Sequence, residues 1–110
     1  MESTQKDNYT LITYASNQFS EFIAELKQDL KQFSDQNLVV DVEKQNKITE
    51  EELSTLLELS NVQYRHKKSF IILNSNIDID TISEELRVVP TLQEAEDMIQ
   101  MEDIERDLGF

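Results

Sequence analysis

Two nearly continuous apolar runs, Leu38-Val39-Val40-Asp41-Val42 and Ser69-Phe70-Ile71-Ile72-Leu73, constrain this chain more than any other feature. A strand with one face in water alternates apolar and polar residues, whereas a run without alternation suits a strand covered on both faces, as in a parallel sheet. Parallel neighbours need a crossover, and the intervening segment can supply one as a helix. Ile48-Thr49-Glu50-Glu51-Glu52-Leu53 reads as the helix start. Thr49 and Glu52 have the T-x-x-E spacing of a capping box, and Ile48 and Leu53 stand at the positions of a hydrophobic staple. Leu53, Leu56, Leu57 and Ser60 are its expected inner face, and Tyr64-Arg65-His66-Lys67-Lys68 ends it with cations that complement the helix dipole.

Similar reasoning covers the rest of the chain. Tyr9-Thr10-Leu11-Ile12-Thr13-Tyr14 has the aromatic and β-branched content of a strand, with Thr placing it near a sheet edge. Phe19, Phe22, Ile23, Leu26, Leu30 and Phe33 form one helical stripe, which is the signature of core packing. Asn74-Ser75-Asn76 reads as a turn, and Asp80 as the cap of a single helical turn ending at Leu86. Asp78 and Asp80 form a D-x-D pair, but no third ligand accompanies them. Arg87-Val88-Val89-Pro90 is a last strand, and Thr91-Leu92-Gln93-Glu94 is a second T-x-x-E helix start. The resulting order is strand, helix, strand, helix, strand, short helix, strand, helix, an α/β arrangement with right-handed crossovers between parallel neighbours.

Composition narrows the function. A chain of 110 residues is read as a single domain, 1–110. With no Cys and only His66 there is no disulfide framework and no multi-histidine metal site, and Gly109 as the lone glycine leaves no material for a phosphate-cradling loop. No metal or cofactor is expected. Residues 1–8 are polar and read as a tail without a signal core, and no run is long enough to cross a membrane, so a cytoplasmic location and no membrane partner are expected. The formal charge of −13 opposes nucleic-acid binding and would steer a basic protein surface toward this one.

The order of elements from Tyr9 to about Ile99 resembles the STAS domain, the fold of the anti-sigma-factor antagonists. In that family a buried strand and a loop lead to an Asp-Ser-Ser-Gly motif at the N-terminus of the second helix, one serine being the regulatory phosphorylation site. Here Val39-Val40-Asp41-Val42 stands for the strand, Thr49 for the Asp, Glu50 and Glu51 for the serines, and Glu52 for the glycine. Arg87-Val88-Val89-Pro90-Thr91-Leu92-Gln93-Glu94-Ala95 resembles the family's last strand and the opening of its last helix. The resemblance implies a STAS-like mixed four-stranded sheet flanked by helices, without the family's first edge strand, and a protein-binding role centred on Thr49, Glu50, Glu51 and Glu52. The phosphorylation switch does not carry over. Two carboxylates do approach the charge of about −1.5 to −2 on a phosphoserine.

The ending is also similar to short bacterial proteins that share Val-Pro-Thr-Leu-Gln-Glu-Ala and Ile104-Glu105-Arg106-Asp107-Leu108-Gly109-Phe110, some of them labelled ribonuclease Z. That chemistry needs two metal ions held by several histidines, and one histidine does not supply them. The favoured expectation is a non-enzymatic protein-binding domain. The alternative is an accessory subunit of an RNA-processing or metabolic enzyme, attached through its C-terminal helix.

The tail, 101–110, raises a separate question. Leu92, Ala95 and Ile99 share one helical face, whereas Met101, Ile104 and Leu108 project from nearly the opposite side. Either the helix breaks near Gln100 and folds back, or Met101, Ile104, Leu108 and Phe110 form a docking segment for another protein or a second copy of this chain.

Overall fold

In the computed structural model, residues 1–15, 18–78 and 82–109 are described. The strands are β1 (Glu2–Gln5), β2 (Thr10–Thr13), β3 (Leu38–Asp41), β4 (Phe70–Leu73) and β5 (Arg87–Val89), and the helices are α1 (Phe19–Asp29), α2 (Glu50–Arg65) and α3 (Leu92–Asp107). A 3-10 segment, Leu30–Phe33, extends α1. The sheet runs β1-β2-β3-β4-β5, with β1 antiparallel to β2 and every later pair parallel.

The apolar runs behave as expected. Leu38, Val39 and Val40 of β3 and all of β4 are buried, because helices cover both faces of the sheet. The pleat sends Leu38, Val40, Val42, Phe70 and Ile72 to the side of α1 and α2, where they pack on Phe22, Leu26 and Leu56. Val39, Ile71 and Leu73 point the other way, onto Ala95 and Ile99 of α3. Each fully buried large apolar side chain contributes about 1.5–3 kcal/mol by leaving water.

Several expectations change. The polar segment 1–8, expected as a tail, supplies the edge strand that the four-stranded reading left out, so the sheet has five strands and β2 lies inside it. All of β1 is exposed, so no hydrophobic period marks it; it is held by backbone pairing with β2 and by Met1, whose amine lies 3.6 Å from Glu25. The inner face of α2 is Leu56, Leu59, Ser60 and Gln63, with Leu53 and Leu57 only partly buried. Gln63 is drawn inward because its Nε2 donates to the carbonyls of Phe33 and Gln36, each at 2.7 Å. The expected cap at Asp80 lies outside the described residues; the described part of that segment, 82–86, is a turn in which the Leu86 N–H donates to Ser83 O, and not a helix. Finally, α3 runs unbroken past Gln100, which removes the fold-back alternative.

Candidate partner-binding site

The N-terminus of α2 is positioned by a loop tied down on both sides. After β3, the Asp41 carboxylate accepts from the Glu43 N–H at 3.0 Å. Glu43 in turn accepts from both the N–H and the hydroxyl of Ser75, across the loop that follows β4. Asn74, almost fully buried, donates through Nδ2 to the carbonyls of Val42 (2.8 Å) and Gln45 (3.1 Å), while its Oδ1 accepts from the N–H groups of Asn76 and Ile77. One side chain therefore satisfies backbone groups of two loops at the carboxyl ends of β3 and β4, where unpaired polar groups would be costly to bury. Sequence reasoning read Asn74 only as part of a turn.

The helix start that this frame presents is a complete capping box. Thr49 Oγ1 accepts from the Glu52 N–H at 3.1 Å, and Glu52 Oε1 accepts from the Thr49 N–H at 2.9 Å. The geometry divides the three glutamates. Glu52 is committed to the cap, whereas Glu50 and Glu51 are exposed and form no ion pair among the described residues. Both stand at the positive end of the α2 dipole, which stabilises negative charge there.

A cleft of about 230 Å³ adjoins this start, lined by Glu50, Leu53, Ser54, Leu57, Ile82 and Leu86 among others. Its apolar walls come from residues that the sequence assigned to the core of α2 and to a short helix. The turn at 82–86 leaves Leu53 and Leu57 half covered, and that contact between distant segments has no local signature. Charge and apolar surface thus lie side by side at this end of α2.

A second polar cluster lies at the opposite edge of the sheet. Glu102 of α3 accepts from Tyr64 Oη at 2.7 Å, from Ser69 Oγ, and from Arg87 Nε at 3.1 Å, and the Arg87 guanidinium sits 4.0 Å from the centre of the Tyr64 ring. Asp103 accepts from Asn8 Nδ2 at 2.7 Å and from Arg106 Nη2 at 2.6 Å; Arg106 also donates to Ser69 Oγ and Asn37 Oδ1. Asn8, Asn37 and Ser69 lie just before β2, β3 and β4, and Arg87 begins β5. The second half of α3 is therefore fastened to the amino ends of four strands by polar groups, while its first half is packed through Ala95 and Ile99. Burial, the Glu102 charge and its hydrogen bond all hold the Tyr64 hydroxyl above its ordinary range, the Arg87 charge opposing them. Burial alone would raise the Asp103 carboxyl, but hydrogen bonds from Asn8 and Arg106, with the Arg106 charge, outweigh it and hold Asp103 below its ordinary range.

This cluster decides where the tail's apolar residues go. Glu102, Asp103 and Arg106 take the inner side of α3, so Met101, Ile104 and Leu108 face out, 52%, 53% and 67% exposed. Phe110 lies outside the described residues. The sequence-derived site residues thus fall into two groups on opposite faces of the sheet: Thr49 to Glu52 with α2, and Met101, Ile104 and Leu108 on α3.

Among the described residues no group of three His, Cys, Asp or Glu side chains is arranged to hold a metal ion, and no helix is long and apolar enough to cross a membrane.

No family model and no curated protein matches the chain. Among solved structures, a serine-to-glutamate variant of RsbS from Moorella thermoacetica is similar, with a TM-score of 0.65 and 16% identity over 89% of this chain and 95% of that one. RsbS is a STAS-domain protein, and the fold of this chain is STAS-like. The likeness to proteins labelled ribonuclease Z finds no support in these comparisons.

Proposed function

We propose that this chain is a non-enzymatic, STAS-like regulatory domain that binds another protein through the N-terminus of α2 and the loop before it. The observation that carries the reading is the pairing of two uncommitted carboxylates, Glu50 and Glu51, with the apolar cleft beside them, on a frame pinned by Asn74 and Glu43. Two carboxylates carry the charge of a phosphoserine without needing a kinase, so the site acts as a permanently charged form of a serine switch. The similar RsbS structure is itself a variant with glutamate in place of a serine.

The topology supports a protein over a small ligand. Ligand crevices in open α/β sheets form where the strand order reverses. Here the order β1-β2-β3-β4-β5 proceeds without reversal among the described strands, so the topology supplies no switch-point crevice at the carboxyl edge, and the cleft beside Glu50 is formed by side chains of α2 and the turn at 82–86. The net charge selects a partner with a basic surface and disfavours nucleic acid. The reading places the protein in the cytoplasm, with no cofactor.

The alternative, an accessory subunit attached to an RNA-processing or metabolic enzyme through its C-terminal helix, draws on the outward stripe of α3 alone.

The test is the double variant Glu50→Lys with Glu51→Lys. Each reversal at an exposed helix start costs about 0.3–1 kcal/mol, so the melt shifts by a few degrees while a partner captured from the native cell by the wild-type chain is lost. Unchanged capture by the double variant refutes the assignment of this edge as the binding site.

A further inference from the structure

The outer arc of α3 carries its own charge pattern. At about 100° per residue, Met98, Met101, Ile104 and Leu108 fall within an arc of roughly 120°. Glu94, Asp97 and Glu105 fall in that same arc, and no lysine or arginine does. Arg106 is turned inward and engaged by Asp103, Ser69 and Asn37. The apolar stripe continues toward the edge strand β5 as a shallow groove of about 400 Å³ that Val89, Pro90, Met98 and Met101 line, with Glu94 and Asp97 also in its lining. The surface is therefore an apolar band studded with one sign of charge.

That pattern discriminates between occupants. A second copy laid along this band would set Glu94, Asp97 and Glu105 against their own equivalents without a cation to separate them, and like charges placed together across an interface disfavour a pairing. A helix with apolar residues at i, i+3, i+4 and i+7 flanked by lysines or arginines meets both features at once. The geometry points to the outer face of α3 and the adjoining β5 groove as a docking site for a basic amphipathic helix of another protein. The site is separate from the α2 edge, on the opposite face of the sheet, and stands whether or not the α2 edge binds a partner.

The probe is a synthetic helical peptide of leucine and lysine at that spacing, with a leucine and glutamate peptide of the same pattern as control, titrated into the full-length chain by anisotropy and by amide chemical-shift mapping. The lysine peptide binds one to one, shifts the amides of α3 and β5, and weakens as salt is raised. The pair Ile104→Gln with Leu108→Gln, and separately Asp97→Lys with Glu105→Lys, each lower its affinity at least tenfold with the melt little changed. The pair Glu50→Lys with Glu51→Lys leaves it within twofold, which separates this site from the α2 edge. Equal binding of the glutamate peptide, shifts that map elsewhere, or undiminished binding to the α3 variants overturns the inference. Sedimentation showing a wild-type dimer that Ile104→Gln with Leu108→Gln dissociates also overturns it, by making the occupant a second copy.

Discussion

Removing the Glu102 carboxylate tests whether the polar cluster, and not the apolar stripe, holds the second half of α3. In Glu102→Ala, Tyr64 Oη, Ser69 Oγ and Arg87 Nε all lose their acceptor. A hydrogen bond to a charged group is worth about 1.5–3 kcal/mol, but three sharing one carboxylate do not add. Breaking a buried ion pair costs roughly 3–5 kcal/mol. The Glu102 side chain is 12% exposed and that of Arg87 36%, so water recovers part of the arginine's loss and the expected cost is about 3 kcal/mol. Unfolding entropy of about 2.1 cal/mol/K per residue gives roughly 0.23 kcal/mol/K for this chain, so Tm falls by about 13 °C. Hydrogen exchange distinguishes the cause: amides from Glu102 to Asp107 exchange faster, while those around Ala95 and Ile99 keep their protection. A Tm loss under about 3 °C, or faster exchange spread evenly along α3, refutes the reasoning.

Three further outcomes follow from the same structure. Thr49→Ala removes the hydroxyl half of the capping box and costs about 1 kcal/mol, a fall in Tm of about 4 °C by thermal melt. Ser60→Ala acts in the opposite direction: the buried Ser60 Oγ has no hydrogen-bond partner among the described residues, so its removal raises the unfolding free energy by about 1 kcal/mol, read as a higher denaturation midpoint. Stability also depends on pH at both extremes. Asp103 titrates below its ordinary 3.8 when folded, so the unfolded chain binds more protons as pH drops through that value and stability falls. The Tyr9 and Tyr64 hydroxyls are held above their ordinary 10.0, by burial first and then by Glu96 and Glu102 respectively, so above pH 10 the unfolded chain loses protons that the folded chain keeps and stability falls again. Denaturant titrations between pH 3 and 11 check both limbs, and Arg106→Gln should flatten the acid one.

Local chemistry and periodicity were enough to read from the residues alone the parallel β3 and β4, the stripe of α1, the box at Thr49 and the start of α3. Each of these features is written within one segment: an unalternating apolar run, a helical spacing, a cap three residues from its partner. What depended on tertiary structure involves groups far apart in the chain. β1 forms because β2 offers its backbone, and four exposed polar residues carry no period to announce it. Gln63 is inward because of two carbonyls at the end of the first helical segment. The sequence also showed two opposed stripes on the last helix but left both a break and a continuous helix open. The choice fell to Glu102, Asp103 and Arg106, whose partners Asn8, Asn37, Tyr64, Ser69 and Arg87 are brought together only when the parallel strands align their amino ends. Once those polar groups occupy the inner side, a straight helix has its inward side filled, and Met101, Ile104 and Leu108 are left to the outside.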